Sequence, residues 1–445
     1  MEFIQSLNLG EKVLPHRNPS IAWFWVFMPA LLGYLALLMA SLNGKPFIGS
    51  VEVYDSDFAK LAEAQYPIEV IATGMKWAEG PLWIDNDDSM PYLLYSDTQQ
   101  NNIYKWEEGK GFFTVGKTLY IPKSGCRADG DDAATEGGEK ENGKGEGKGE
   151  GEESSGSEDG TAAAPVPVTD DHCNSLSEPG SSGLARVYAP TLDASSSIAP
   201  NPLDMLVCQH GMRSIALQRD NGTRTVVVSH FKGKKLNAPA DLAWSPEGHL
   251  YFTDPTFGLV KGSNSHNNER VQEQEQPVSG LYMVHSKDIV KAITTGVPAT
   301  NVFLIDGKMS APKGLAFSPT YSKLYVSNAD AGNAYWKVFD VNSNGLAHKG
   351  RVFYNATAAG VPDGSRGKPG GLKVDRWGNI YGAGPGGVFV LGPEGKLLSK
   401  FKVDREITGI AFGTDGRLYM TAEDALLRKW LRTQPAKPPS SALGK

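Results

Sequence analysis

One phrase recurs along this chain, and it decides what the chain can fold into. Residues 236–259 read LNAPADLAWSPEGHLYFTDPTFGL, and residues 309–330 read MSAPKGLAFSPTYSKLYVSNAD. Both run Ala-Pro-x-[Asp/Gly]-Leu-Ala-aromatic-Ser-Pro, then a polar turn, then Leu-Tyr at the head of an alternating run. Looser copies are KPGGLKVDRWGNIYGAG from Lys368, EITGIAFGTDGRLYMTA from Glu406 and WAEGPLWIDNDDS from Trp77. Alternation with period two, cut by Gly, Asp and Pro, specifies short strands rather than helices. Four-stranded units repeating every ~40–60 residues specify a β-propeller. Five units are visible, and a sixth surrounds LDMLVCQHGMRSIALQRDNGTRTVVV at residues 203–228. The Pro and Gly of the phrase shape the turn into each blade's inner strand. The residue just before that strand is different, because those positions from all blades converge on one mouth of the central channel. Ala240 and Lys313 fill that slot in the two closest copies, so the slot is where a site is expected.

The rest of the chain is organised around this body. Residues 21–42, IAWFWVFMPALLGYLALLMASL, form 22 residues without a charge. A helix of that length spans a bilayer. Trp23 and Trp25 suit the interface, and Lys12, His16 and Arg17 before the segment against Lys45 after it favour a cytoplasmic N-terminus. The expectation is a tail at 1–20, a signal-anchor transmembrane helix at 21–42, and a membrane protein with its propeller on the lumenal or extracellular side. The sequons at Asn221 and Asn355 permit glycosylation there. The propeller is expected over 51–432, interrupted at 127–169 by an insertion of Gly, Glu, Lys, Asp and Ser that cannot bury apolar surface and reads as disordered. A second disordered tail is expected at 433–445. A formal net charge of -6 and the lack of a basic cluster with interleaved aromatics exclude a nucleic-acid partner. Three cysteines, Cys126, Cys173 and Cys208, are too few for a disulfide framework.

In order along the body, IATGMKWAEGPLWI, LVCQHGMRSIAL, LNAPADLAWSPEGHLYFTDPTFGL, APKGLAFSPTYSKLYVSN, GLKVDRWGNIYGAGPGGVFVLGPEGKLL and ITGIAFGTDGRLYMTA resemble the gluconolactonase family, which includes the senescence marker protein regucalcin. The resemblance implies an all-β, six-bladed propeller and hydrolysis of a small-molecule lactone or ester. It also implies a divalent cation, calcium or zinc, held at the mouth by a Glu, one or two Asn and an Asp. A hard cation with oxygen ligands would polarise the carbonyl and acidify bound water, and a carboxylate could take the proton.

Residue by residue, the family's fold signature is complete and its site signature is altered. The family's glutamate is present as Glu79. Its substrate-pocket Asn falls at Ala240, with Asp241 kept beside it. Its metal-binding Asn falls at Lys313, and its metal-binding Asp at Gly370. A Pro-Asp-Gly does occur at 362–364, so Asp363 is the alternative ligand. The last blade has Thr408-Gly409 where the family has Thr-Asn, and the second has Ser182-Gly183 where it often has Asn-Gly. Two arrangements therefore stay open. Glu79 and Asp363 hold the cation and activate water, or Lys313 pairs with Glu79 in place of the metal's charge. An ammonium cannot donate an electron pair to a metal, and a desolvated lysine can act as base or nucleophile. The candidate catalytic residues are Glu79, Lys313 and Asp363, the candidate substrate contacts Ala240, Asp241 and Asp254, and the candidate metal ligands Glu79 and Asp363. Beside the hydrolase stand a metal-independent catalyst like strictosidine synthase and a non-catalytic, membrane-tethered binding propeller. His210 and Cys208 read as packed blade residues and Asp254 as a turn-amide acceptor or a site residue, while Arg213 and Asp241 resemble family residues that hold blades together or line the pocket.

Overall fold

The computed structural model describes residues 46–86, 89–114, 180–187, 204–220, 222–259, 272–360 and 365–437. The expected membrane span, the acidic insertion and Asp363 lie outside them. Among the described residues no helix is long and apolar enough to cross a membrane.

Six antiparallel sheets follow one another as blades, and each inner strand lines the channel. Those strands are Ala78–Asn86, Ser181–Arg186, Leu242–Trp244, Pro312–Phe317, Leu372–Val374 and Ile407–Phe412, in blades 1 to 6. The ring closes through the N-terminal side of the body. Ile68–Thr73 pairs with Ala425–Trp430 as a fourth strand of blade 6, and Phe47–Ile48 pairs with it as a fifth. Ser50–Val53 pairs with Leu397–Lys402 on blade 5. The ordered body therefore starts a few residues before the expected Val51, and its first strands tie blades 5 and 6 together.

The recurring Leu/Ile-Tyr has a physical reason. Adjacent strand residues point to opposite faces of a blade. Leu250, Leu324, Ile380 and Leu418 pack against the preceding blade, and Tyr251, Tyr325, Tyr381 and Tyr419 against the following one. All eight are buried. The core is accordingly six hydrophobic clusters, one between each pair of neighbouring blades. Among the described residues one α-helix, Ser286–Thr295, lays Ile289, Ala292 and Ile293 on the blade 2/blade 3 cluster and ends at Gly296 with φ 71°. The chain after Arg432 does not trail free at once. The Thr433 hydroxyl donates to Asp375 Oδ2 at 3.0 Å, Pro435 bridges Asp375, and the Ala436 amide donates to Val374 O at 3.1 Å. Backbone pairing, invisible to composition, holds this Pro-rich piece.

At the axis the inner strands meet through glycine. A Cβ on Gly183 would lie 2.6 Å from Ala240 O, one on Gly314 2.5 Å from Gly370 O, and one on Gly371 2.9 Å from Gly409 Cα. Real Cβ atoms do not approach so closely, so an added methyl must push two blades apart. Gly314→Ala is expected to destabilise by about 2 kcal/mol or more, whereas Gly392→Ala, whose nearest neighbour would be 3.7 Å away, should be close to neutral. Denaturant unfolding of the two variants checks this, and equal midpoints would contradict the collar.

Candidate active site

The slot expected before each inner strand is the second residue of that strand in blades 1, 2, 4 and 6 and stands two residues ahead of it in blades 3 and 5. In blade 1, 2, 4 and 6 the register shifts between Glu79 and Leu82, Ser181 and Leu184, Pro312 and Leu315, and Ile407 and Gly409. Such bulges re-aim side chains. A belt of hydrogen bonds then joins each blade to the next at this level. Ser96 Oγ donates to Ser182 O (2.8 Å), Gly183 N to Ala240 O (2.7 Å), and Thr253 Oγ1 to Lys313 O (2.5 Å). Ser327 Oγ donates to Gly370 O (2.7 Å), Gly371 N to Thr408 O (2.8 Å), and Thr408 Oγ1 to Ala78 O (2.5 Å). The six slot residues are Glu79, Ser182, Ala240, Lys313, Gly370 and Thr408. All but Gly370 line one narrow cavity, together with Asp241 and Lys373.

The expected Glu79–Lys313 pair is present. Lys313 Nζ donates to Glu79 Oε1 at 2.5 Å, across the channel from blade 4 to blade 1. Trp77 Nε1 donates to the same oxygen at 2.8 Å, and Ser182 Oγ to Oε2 at 2.5 Å. Both partners are buried, Glu79 at 2% and Lys313 at 6% exposure. Burial pushes the Glu79 carboxyl up, but the fields of Lys313 and His210 and the bonds from Lys313 and Ser182 outweigh it and hold it well below the usual carboxylate range. Glu79 is therefore an anion that stays charged, with every oxygen engaged.

These donors do not fit the divalent cation that the family resemblance implies. Both Glu79 oxygens already accept hydrogen bonds, an ammonium stands in a ligand slot, and Ala240 and Gly370 bring no side-chain oxygen. Nor can slot 370 gain one in place, since a Cβ there would lie 2.7 Å from Thr408 O. Among the described residues no cluster of three or more His, Cys, Asp or Glu could hold a metal.

A second tier sits two residues before the slots. Its charged members are Lys368 and Glu406, on blades 5 and 6, and Trp77 belongs to it on blade 1. Burial pushes the Glu406 carboxyl up, Lys368 and Lys313 pull it down, and Glu79 and Glu423 add to the rise. Phe257, from blade 3, reaches over the mouth. Its ring lies 5.6 Å from Lys313 Nζ and 4.6 Å from Lys368 Nζ. Sequence reasoning missed Trp77, Ser182, Phe257, Lys368 and Glu406 as site residues. Counting two residues back from each slot would have found three of them.

The other expected residues divide. Ala240 and Asp241 line the cavity. Asp241 Oδ1 accepts from Leu242 N at 2.9 Å and Oδ2 from Leu315 N at 3.3 Å, so it also fastens blade 3 to blade 4. Asp254 is not among the cavity's lining residues. Its Oδ2 accepts from Asn237 N at 2.8 Å. Asp97 does the same for Lys76 N at 2.8 Å in blade 1, and Asn328 for Ala311 N at 2.9 Å in blade 4. The Asp or Asn ending a blade's second strand is thus a staple for the turn into the inner strand. His210, Cys208 and Arg213 are buried. Gly258 leaves room for the His210 ring's Cβ, and Arg213 Nε donates to Leu236 O at 2.6 Å, joining blade 2 to the approach to blade 3.

Comparison with known proteins agrees with this architecture. Residues 77–424 match the model of the SMP-30/gluconolactonase/LRE-like region. A gluconolactonase of Zymomonas mobilis is 27% identical over 398 residues, covering 88% of this chain and 89% of that protein. A gluconolactonase structure from Xanthomonas campestris superposes with a TM-score of 0.58 at 20% identity, over 87% of this chain and 97% of that one. The structure of a luciferin-regenerating enzyme superposes with a TM-score of 0.51 at 15% identity, over 84% and 99%.

The staple role of Asp254 has a signed consequence. Burial pushes its carboxyl up to about 7, against the amides of Asn237 and Ala238 and the charge of Arg213. An acid raised above its unfolded value favours the protonated fold, so its contribution is lost as pH rises from the unfolded value through about 7. Asp254→Asn keeps an acceptor for Asn237 and removes the buried charge. We expect its Tm at pH 8 to exceed the wild type's by about 2 °C or more, the gap closing toward pH 4, with ligand turnover unchanged. A lower Tm or lost turnover at pH 8 would show that the Asp254 anion itself is required.

Proposed function

The chain belongs to the SMP-30/gluconolactonase/LRE-like family, and on that premise we propose that it hydrolyses a small-molecule lactone or ester at the channel mouth. The observation that carries the reading is that two carboxyls at one mouth are driven apart, Glu79 down by Lys313 and Glu406 up by burial. Carboxyls separated in this way mark a permanent anion and a base. In this reading Glu79 holds and orients Lys313 and keeps it charged. Glu406 takes a proton from water as its oxygen adds to the acyl carbon. The Lys313 and Lys368 ammoniums face the carbonyl oxygen, where negative charge develops. When the tetrahedral intermediate collapses, the ring C–O bond breaks and the departing oxygen recovers the proton from Glu406, giving a hydroxy acid. Phe257 covers the mouth and keeps bulk solvent from the two ammoniums while the attacking water stays with Glu406.

The test is hydrolysis of glucono-δ-lactone and an aryl acetate by the purified chain. Removing a general base costs about 10²–10⁴ in rate, so Glu406→Gln should lower kcat by about a hundredfold or more with KM little changed. The base works ionised, so kcat should fall as pH drops through a carboxyl placed above the usual glutamate value. Wild-type turnover in Glu406→Gln would remove Glu406 from the mechanism. No turnover by the wild type on any lactone or ester would leave the mouth a binding site.

We also propose that residues 21–42 anchor the body in a membrane, with the propeller lumenal or extracellular. Their support is 22 uncharged residues, enough to span a bilayer, and the basic residues before them. The full chain should stay in the membrane pellet at alkaline pH, with its propeller shielded from protease added to the cytoplasmic side. Release into the supernatant would contradict the anchor.

A further inference from the structure

We propose that this mouth carries its own cation: the Lys313 ammonium is a built-in replacement for a metal ion, and Glu79 takes no divalent cation. The inference concerns what fills the mouth and stands apart from the hydrolase reading.

The geometry is that of a filled seat. Nζ is in direct hydrogen-bond contact with Glu79 Oε1, the oxygen that a cation on this carboxylate would need. For a metal to enter, Lys313 would have to withdraw or lose its proton, because an ammonium has no electron pair to offer. Withdrawal has little room. The side chain is buried at 6% exposure, the Phe257 ring lies 5.6 Å from Nζ, and the backbone is pinned by the Thr253 hydroxyl on Lys313 O.

The remaining slots offer a cation no unengaged side-chain oxygen. Calcium takes about six to eight oxygen ligands and magnesium six. The Ser182 hydroxyl is spent on Glu79, and the Thr408 hydroxyl on Ala78 O. The carbonyls of Ser182, Ala240, Lys313, Gly370 and Thr408 all accept from a neighbouring blade. Zinc's preferred nitrogen and sulfur ligands are missing from all six slots. A glutamate and a lysine cancel in charge, so the mouth is balanced without an ion. The three slots Lys313, Ala240 and Gly370 agree with one another: Lys313 supplies the charge, and Ala240 and Gly370 bring no side-chain ligand.

The test uses the full chain freed of metal with a chelator, then titrated with calcium, magnesium, manganese and zinc chlorides, followed by calorimetry and by Tm. The expected result is no heat and no Tm change that depends on Glu79. Lys313→Met should lower Tm at pH 8, leaving a buried unpaired carboxylate, and recover it as pH falls toward 5 and Glu79 protonates. The double variant Glu79→Gln/Lys313→Met should regain Tm at pH 8 and lose the pH dependence. One cation bound per chain by the wild type, and lost in Glu79→Gln, overturns the proposal. So does a Lys313→Met variant that melts like the wild type at pH 8. If neither variant folds, the wild-type titration decides alone. Neither readout involves turnover, so failure here is distinguishable from failure of the hydrolase reading.

Discussion

The closeness with which six inner strands meet at the channel axis governs the rest of this structure. Glycines at Gly183, Gly314 and Gly371 let the inner strands of blades 2, 4 and 5 touch the next, and hydroxyl and amide donors stitch every junction at the same level. The slot side chains are therefore crowded into a space that two residues can bridge. A lysine on blade 4 reaches a glutamate on blade 1, and both are dry. A wider channel would leave each in water, where an ion pair contributes little. Breaking a buried pair instead leaves a bare charge, at a cost of about 3–5 kcal/mol. The collar thus turns a pairing of convenience into a fixed structural element, and fixes the ammonium where the family reading places an ion.

That fixed charge redistributes the chemistry of the mouth. A carboxylate saturated by an ammonium, an indole and a hydroxyl is a poor base, however central its position. The neighbouring carboxyl, Glu406, is better placed to move a proton, because burial rather than a partner dominates it. The substitution at Lys313 is accordingly read as a transfer of roles. In the proposed mechanism Glu79 orients, Lys313 and Lys368 supply the positive charge, and Glu406, one tier outward, moves the proton. The belt that holds the slots also explains why these roles attach to positions rather than to flexible loops, since the slot carbonyls of blades 2 to 6 are each anchored to the preceding blade.

Much of this was legible in the sequence because the physics repeats. A Leu-Tyr pair packs opposite faces of a blade in every copy, so Leu250-Tyr251 and Leu418-Tyr419 announce the same structure twice. The slot before the inner strand stood out because its occupants varied within a constant frame, and the Lys313–Glu79 pair followed from two such slots. Other features lacked a local signal. Phe257 meets Lys313 and Lys368 from a short 3-10 turn, Phe257–Leu259, and these are contacts with other blades that no local pattern signals. Thr433 to Ala436 are held by backbone pairing that their Pro-rich composition does not advertise. Glu406 and Lys368 were hidden by attention to one tier, though the same period locates them. Asp254 read first as a turn-amide acceptor and second as a site residue, and Asp97 and Asn328, which make the same bond in their blades, support the turn.

The central claim is that an ammonium, not a metal, completes the channel mouth. A high-resolution crystal structure grown near neutral pH with millimolar calcium present tests it most directly. The account predicts Lys313 Nζ in hydrogen-bond contact with Glu79 Oε1, Trp77 and Ser182 on the same carboxylate, and no cation density within coordination distance of it. A calcium ion on Glu79 with the Lys313 side chain turned away would contradict it.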